Sequence, residues 1–343
     1  MEHLAIDLGS RKSQICRRRS DGAVLEERKV ETELLGEYFR RQTTSRVVLE
    51  TCAESFRIAD LARAAGHEVR VVPATLVKSL GVGARRTKND RRDAQVLSEV
   101  SCRIDLPSVH IPSAEARERK TICGMREALV SARTQLINCV RGWLRTQGLR
   151  VKAGADGFAD RVRQQHLLQR NVELPPYVEG LLSAIEHHDH QVREADKRLS
   201  KLAKADATCR RLMTVPGVGP VTAVRFAAAI DDISRFSSAH TVESYLGLVP
   251  GEYQSADKQH RLSITKAGSI RLRWALVQAA WSARRCRPND PLVLWSREVE
   301  KRRGKAIAVV ALARKMAGIL FALWRDQTNY DQRRGAAPSV SPT

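Results

Sequence analysis

Four carboxylates in the first hundred residues have the types and spacing of a metal-binding site. Asp7 lies inside the apolar run of residues 4–9, where even a neutral polar group without a partner costs roughly 2 to 7 kcal/mol. Glu50 closes another apolar run, and Asp90 and Asp93 are three residues apart, which places both on one face of a helix. Because four acids brought together repel one another, a hard cation must neutralise them. Mg²⁺ takes oxygen ligands and suits such a cluster and phosphate chemistry.

Each acid also has a simpler interpretation. Asp90 and Asp93 alone fit a solvated helix face that is salt-bridged to neighbouring basic residues, and Glu50 alone fits a strand end. An Asp-x-Gly at a first strand, followed by a hairpin, also occurs in sugar-kinase-type ATPases, whose loop binds phosphate. That fold is therefore an alternative explanation of Asp7. Glu54 lies one helical turn beyond Glu50 and is the alternative second ligand.

An α/β sheet must position these acids. Short apolar runs around an Asp-Gly turn predict three strands in hairpin order, and two β-α crossovers follow them. The predicted strands cover residues 4–9, 13–16, 23–25, 46–50 and 68–73, and the predicted helices cover 31–41 and 55–65. This order predicts a mixed α/β N-terminal domain.

The rest of the chain reads as mostly helical. Long helices are predicted over 113–147 and 177–204, the second opened by a double proline, and they suggest a helical hairpin or coiled coil whose apolar stripe can pair with another protomer. A third, mostly helical region runs from about 210 to 325. The predicted domains are 1–108, 109–205 and 206–328, followed by a disordered tail over 329–343.

Composition points to a polyanionic partner. Lys and Arg number 59 against 38 Asp and Glu, which gives a formal net charge of +21, and nucleic acid is the first candidate. A membrane is the competing polyanion, but Arg314 and Lys315 interrupt the apolar stretch 306–324, so we expect a buried helix there. Seven scattered cysteines and the absence of a signal-peptide pattern predict a cytoplasmic protein.

A glycine turn in the C-terminal region could approach a phosphate backbone. Residues 212–220 end in Gly217 and Gly219 before a helical pattern, which reads as a helix-hairpin-helix. A Gly-Pro turn between two core helices explains the local pattern equally well, and the basic composition favours binding. Four tryptophans, at 274, 281, 295 and 324, fit helix cores better than a base-stacking platform, and residues 187–190 (HHDH) fit a solvated helix face better than a metal site.

The order of elements and acids resembles the RuvC-like branch of the RNase H-like fold, in which two metal ions activate a phosphodiester. The segments Asp7-Leu8-Gly9, Leu49-Glu50 and 88–94 (KNDRRDA) resemble the DEDD insertion-sequence transposases, which are bridge-RNA-guided recombinases. The segments 245–257 and 264–274 are similar to the transposase domain of the same family, in the same order. The resemblance therefore covers most of the chain.

The resemblance implies a mechanism and partners. Asp7, Glu50, Asp90 and Asp93 would hold Mg²⁺, and Ser255 would attack DNA and form a phosphoserine link that allows rejoining without ATP. A structured guide RNA would choose donor and target DNA. The enzyme would work as a homodimer or homotetramer in a prokaryotic, nucleoid-associated setting, with sites shared between subunits.

The match at the C-terminal region is incomplete. Family members commonly have Ser-Ser-Gly where this chain has Gln254-Ser255-Ala256, and glycine where it has Ser263. The predicted nucleic-acid contacts are Gly217, Gly219, Lys266, Arg271 and Arg273. Two other functions remain open at this point: a junction endonuclease that uses water as its nucleophile, and a non-catalytic scaffold that binds nucleic acid.

Overall fold

The chain folds as two units, Met1–Pro112 and Ser113–Thr343. The computed structural model describes residues 1–79, 90–152, 154–170, 173–255 and 258–332. Within those ranges, the side chains at positions 78, 79, 90, 167–170, 252–255 and 258–261 lie outside the description. The predicted domain boundaries at 108, 205 and 328 stay predictions, and most of the predicted disordered tail lies outside the described residues.

A mixed five-stranded sheet forms the centre of the first unit, as the sequence predicts. The strand order is β3-β2-β1-β4-β5, with antiparallel pairing of β1 with β2 and of β2 with β3, and parallel pairing of β1 with β4 and of β4 with β5. The strands are β1 (Glu2–Asp7), β2 (Lys12–Arg18), β3 (Val24–Glu31), β4 (Ser45–Glu50) and β5 (Glu68–Val72).

Helices cover both faces of this sheet. They are α1 (Leu35–Arg40), α2 (Ser55–Ala64), α3 (Ala74–Ser79) and α4 (Asp90–Arg103). Alternate strand residues such as Leu4 and Ile6 pack with α1 and α2, whereas Ala5 and Val48 pack with Leu97 of α4. This two-sided burial explains why the central strands read as continuous apolar runs.

The sequence predicted β3 too short. A strand was expected over 23–25 and a helix over 31–41, but β3 continues to Glu31, a 3-10 helix spans Thr32–Leu34, and α1 begins at Leu35. The reason is that β3 is an edge strand with exposed, charged side chains, including Arg28 and Lys29, which hide its β character in the hydrophobic pattern.

The second unit is mostly helical. Its elements are α5 (Ala114–Thr146), α6 (Phe158–Arg170), α7 (Pro176–Ala205), α8 (Ala207–Leu212), α9 (Pro220–Ile230), α10 (Ala239–Tyr245), β6 (Pro250–Ser255), β7 (Lys258–Ile264), α11 (Ile270–Cys286), α12 (Pro291–Arg303) and α13 (Lys305–Arg325). The two predicted long helices are confirmed as α5 and α7, and they pack against each other within the chain.

Helix α13 lies in the core of the second unit. It is long and apolar enough to cross a membrane, the one such helix among the described residues, yet it packs against α10, α11 and α12 and buries residues such as Met316 and Phe321 completely or almost so. Arg314 donates a hydrogen bond to Glu243 over 2.6 Å, and the Lys315 ammonium lies 4.3 Å from the centre of the Trp295 ring. The predicted buried helix is confirmed.

Three features of the second unit differ from, or were missing in, the sequence predictions. The antiparallel hairpin of β6 and β7 was not predicted, because its polar residues show no apolar alternation. Trp274 is 58% exposed on α11 rather than buried, whereas Trp281 and Trp324 do pack against the core. Asp189, expected on a solvated face, is buried and paired with Arg133.

Candidate active site and nucleic-acid interface

Asp7 and Glu50 end neighbouring parallel strands. The register pairs Ile6 of β1 with Leu49 of β4, so the next residue on each strand, Asp7 and Glu50, lies at the same carboxyl edge of the sheet. Carboxyl ends of parallel strands are where open α/β sheets bind ligands. Both side chains are half-buried, so both acids combine a fixed backbone with access to solvent.

The two acids also share a face of the sheet. Successive side chains along a strand alternate between faces, so Asp7 is on the same side as Ala5, and Glu50 is on the same side as Val48. Ala5 and Val48 pack with Leu97 of α4. Asp7 and Glu50 therefore lie on the face that α4 covers.

Helix α4 runs antiparallel to β1 on that face. The imidazole Nδ1 of His3, near the start of β1, is 2.8 Å from the hydroxyl of Ser101, near the end of α4. One turn earlier, Ser98 donates a hydrogen bond to the sulfur of Cys16, which is the β2 partner of Ala5. Residues nearer the N-terminus of α4 therefore lie beside residues nearer the C-terminus of β1.

This direction brings Asp93 level with Asp7. From Ser101 back to Asp93 is eight residues, or about 12 Å of helix, and from His3 to Asp7 is four residues, or about 13 Å of strand. Asp93 is half-buried and precedes Ala94, which is fully buried against the sheet. Three of the four predicted acids therefore lie toward one end of one face of the sheet.

The position of the fourth acid is defined only by its backbone. Asp90 begins α4, and its side chain lies outside the described residues. Among the described residues, Asp7, Glu50 and Asp93 included, no three His, Cys, Asp or Glu side chains are arranged closely enough to form a ligand set. The fold brings Asp7, Glu50 and Asp93 to one edge as oxygen donors suited to Mg²⁺.

Neighbouring interactions hold the first turns of α4. Arg91 and Gln95 both donate hydrogen bonds to the carboxylate of Glu27 on β3. The hydrogen bond from Arg91 lowers the pKa of Glu27 below its usual value. The carboxylate therefore stays charged and continues to accept hydrogen bonds from α4. The start of α4 is thereby tied to the edge strand.

Glu54, the alternative to Glu50, has different surroundings. It is the residue immediately before α2, and its carboxylate accepts a hydrogen bond from Arg57 over 3.0 Å. It is not part of the strand end that adjoins Asp7. The geometry therefore favours Glu50 as the acid next to Asp7.

Ser255 is the last residue of β6. It pairs with Lys258 across the tip of the hairpin, and its side chain lies outside the described residues, as do Ala256 and Asp257 entirely. The described backbone places this serine at the end of a strand.

The glycine turn between α8 and α9 has an internal structural role. Gly217 has a φ of +81°, and a Cβ there would lie 2.1 Å from the carbonyl oxygen of Ala279 and 2.6 Å from the nitrogen of Ala283 in α11. Only glycine fits at so close an approach between two backbones. This supports the interpretation of a turn between core helices for Gly217.

Gly219 differs from Gly217, because a Cβ at this position would meet nothing within 4 Å. It immediately precedes α9, whose first backbone N–H groups have no partner within the helix. A groove of about 730 Å³ adjoins this turn, and Tyr330 borders it, with its backbone nitrogen donating to the Thr214 hydroxyl over 2.9 Å. The open side of the turn is thus at Gly219.

The three predicted basic contacts differ in exposure. Lys266 is exposed and has a φ of +57°, and Arg271 is exposed and 3.3 Å from Glu127. Arg273 is 8% exposed and donates hydrogen bonds to the carbonyl oxygens of Leu246 and Ala267. Arg273 therefore fixes the loop that presents Lys266, and Lys266 and Arg271 are the exposed cations among the three predicted contacts.

Comparison with known proteins gives consistent matches along the chain. A DEDD transposase model of the IS110 type matches residues 4–147, which include all four acids. A model described as the transposase IS116/IS110/IS902 family matches residues 209–292, which include Ser255. Both matches preserve the order of the two regions.

Several transposases are similar over most of their length. A putative transposase of Sinorhizobium fredii is 31% identical over 88% of this chain and 78% of its own. The transposase for insertion sequence element IS1111A of Coxiella burnetii is 29% identical over 95% and 90%. A probable family 20 transposase of Pseudomonas aeruginosa is 27% identical over 96% and 98%.

These matches lie in both units and include Asp7, Glu50 and Asp93. The chain belongs to the IS110 family of insertion-sequence transposases, enzymes that cut and rejoin DNA.

Proposed function

We propose that the first unit is an RNase H-like catalytic domain of the RuvC type, in which Asp7, Glu50, Asp90 and Asp93 hold Mg²⁺ for DNA strand transfer. The observation that carries this proposal is that Asp7, Glu50 and Asp93 lie toward one end of one sheet face. The mixed sheet with three hairpin strands followed by parallel strands also supports it.

The donor set fits the metal. Carboxylate oxygens are hard ligands, and half-burial leaves room for the waters that Mg²⁺ retains. Bound Mg²⁺ would neutralise the charge that develops on the phosphoryl oxygens. The chain's own part is to fix several carboxylates on rigid strand and helix backbone, so that the phosphate is oriented before reaction.

Ser255 is the proposed nucleophile. In the step, the hydroxyl loses its proton as its oxygen bonds to phosphorus, the bond from phosphorus to the leaving strand oxygen breaks, and that oxygen takes up a proton. The phosphoserine diester keeps the energy of the broken bond. A strand hydroxyl can then attack it, rejoin the DNA and release the serine without ATP.

A second part of the proposal concerns nucleic-acid binding by the second unit. The exposed Lys266 and Arg271 and the open turn at Gly219 would contact phosphates, whereas Gly217 and Arg273 would shape that surface from within. The net charge of +21 supports a polyanionic partner. By family resemblance, we further propose a structured guide RNA, a homodimer or homotetramer, and a cytoplasmic, nucleoid-associated location.

Covalent trapping tests the serine mechanism. The purified protein is incubated with Mg²⁺, element-end DNA and any RNA that copurifies with it, then denatured, and the retained DNA is measured. We expect wild type to retain DNA, Ser255→Ala to lose it, and Ser263→Ala, in the same hairpin, to keep it. Cleavage that survives in Ser255→Ala would instead indicate an endonuclease that uses water.

The same assay separates an enzyme from a scaffold. Asp7→Ala and Asp93→Ala should abolish both cleavage and the covalent adduct, since each removes an oxygen donor from the shared edge. Full activity in both variants would contradict a carboxylate site. Sequencing of copurified RNA tests the guide, because a guided enzyme should retain one structured RNA species.

A further inference from the structure

A cavity at the end of α5 is lined by both arginine and aliphatic side chains. It has a volume of about 570 Å³ and is lined by Arg141, Leu144, Arg145, Leu149, Arg150 and Val151. No carboxylate is among these lining residues. Its size is in the range of sites that hold a small organic ligand.

The local backbone brings the arginines together. Helix α5 ends at Thr146, and Gly148, with a φ of +72°, reverses the chain so that the Leu149 nitrogen donates to the Leu144 carbonyl over 2.8 Å. This turn returns Arg150 to the cavity that Arg145 already lines. The Arg150 carbonyl accepts a hydrogen bond from Gln165 over 2.7 Å, which fixes the returning segment.

The arginines on this cavity differ from those earlier on α5. Earlier along the helix, arginines are neutralised by aspartates of the neighbouring helix region, in the pairs Arg119–Asp206, Arg126–Asp196 and Arg133–Asp189. Among the described residues, Arg141, Arg145 and Arg150 have no such acidic partner. The Arg141 guanidinium instead lies 5.3 Å from the centre of the buried Phe158 ring, which sets its direction.

We propose that this cavity binds one unpaired nucleotide of a nucleic-acid strand. Guanidinium groups bind phosphate through paired hydrogen bonds, and the aliphatic side chains of Leu144, Leu149 and Val151 would contact the sugar and base. A base stacked inside a duplex cannot enter, so the occupant must be splayed out of a loop, a bulge or a single strand. The site is separate from the proposed catalytic groups and would bind without them.

The test uses the full-length protein and labelled oligonucleotides of one sequence, as single-stranded DNA, single-stranded RNA and duplex. The test variant is Arg145→Ala with Arg150→Ala, both exposed. The control is Arg302→Ala with Arg303→Ala, which removes two exposed charges from the last turn of α12. Circular dichroism checks that both variants unfold at the wild-type temperature.

We expect the test variant to bind single strands at least roughly tenfold more weakly. Its plot of log affinity against log salt should be shallower by about 1.4, the value for two lost single-strand phosphate contacts. The control should match wild type. A strand carrying one 4-thiouracil should crosslink to residues 142–151 in wild type and in the control, but not in the test variant.

Comparison of single-stranded DNA with single-stranded RNA shows which nucleic acid supplies the nucleotide. A loss of affinity for either strand in the test variant supports the site. Equal losses in test and control variants, or an equal loss with duplex, would overturn it. Intact binding with a lowered unfolding temperature would also overturn it, because the arginines would then serve only to offset the carbonyl end of α5. Ser255→Ala should crosslink like wild type, so failure here is distinguishable from failure of the catalytic proposal.

Discussion

Glu50 and Glu54 are one helical turn apart in sequence but have different environments. Glu50 continues β4 beside Asp7, and its backbone is fixed by pairing with Val72 on the other side. Glu54 precedes α2 and is paired with Arg57. A metal ligand needs a rigid backbone close to its fellow ligands, and the paired strand end at Glu50 provides such a backbone.

We therefore expect Glu50→Gln and Glu54→Gln to have opposite effects. Glu50→Gln should lower the rate of strand transfer by more than the roughly 10- to 100-fold that loss of a ligand's supporting partner costs, because it removes a charged ligand itself. Glu54→Gln should leave the rate within a few-fold of wild type. Cleavage of element-end DNA in Mg²⁺ measures both, and the reverse ranking would assign the ligand to Glu54.

The sequence was informative about residues with an unfavourable environment. Asp7 could be found because an acid inside an apolar strand requires an explanation, and Asp93 because its spacing from Asp90 is helical. Trp274 was misjudged, since a tryptophan on an amphipathic helix is usually buried and only the packing of α11 leaves it 58% exposed. Gly217 was ambiguous until its contact with Ala279 was known.

At the scale of elements, α5 is held by a row of ion pairs. Its arginines at positions 119, 126 and 133 are seven residues apart and face Asp206, Asp196 and Asp189. The sequence predicted a helical hairpin or coiled coil but could not say whether its partner was the same chain. These pairs, together with apolar contacts such as Val140 and Leu182, make α7 the partner of α5 within the chain.

Asp206 makes part of this row sensitive to acid. Burial alone would raise the pKa of its carboxyl, but the hydrogen bond from the Cys209 nitrogen and the charge of Arg119 outweigh burial and lower that pKa. A carboxyl with a lowered pKa stabilises the fold at pH values above its unfolded pKa, about 3.9. That contribution is lost as the pH falls through the folded pKa.

Asp206→Asn isolates the charge, because asparagine caps the start of α8 about as well as aspartate does. We expect the variant to unfold with a free energy about 1.5 to 3 kcal/mol lower at pH 7, and the difference to shrink below about pH 4. Urea unfolding at several pH values measures this. A difference that stays constant down to the most acidic pH would contradict a role for the carboxylate charge.

Other elements were predictable only in part, for a physical reason. The central strands and the long helices have strong hydrophobic periods and were placed within a few residues. The edge strand β3 and the hairpin of β6 and β7 are polar, so their strand character comes from backbone pairing that the hydrophobic pattern does not record. Ser255 lies on the second of these, which is why its strand position could not be foreseen.

At the scale of the whole molecule, the cations that attract DNA are different residues from the acids proposed for catalysis. The formal net charge is +21, although several arginines of α5 are already neutralised within the chain. Other cations must therefore supply the attraction to DNA, and exposed residues such as Lys266 are among them. The acidic edge around Asp7 opposes a polyanion until a cation neutralises it.

This separation predicts how binding responds to salt and to loss of the acids. Affinity for duplex DNA should fall steeply with salt, by about 10³ to 10⁵ between roughly 50 and 200 mM if some six to ten phosphates are contacted. Without Mg²⁺, Asp7→Ala should bind at least as tightly as wild type, because one repelling charge is gone, and its salt slope should be unchanged. Fluorescence anisotropy across a salt series measures both. A slope near zero would mean that base contacts rather than phosphates hold the DNA, and weaker binding by Asp7→Ala would mean that the acid contacts the DNA directly, without a cation.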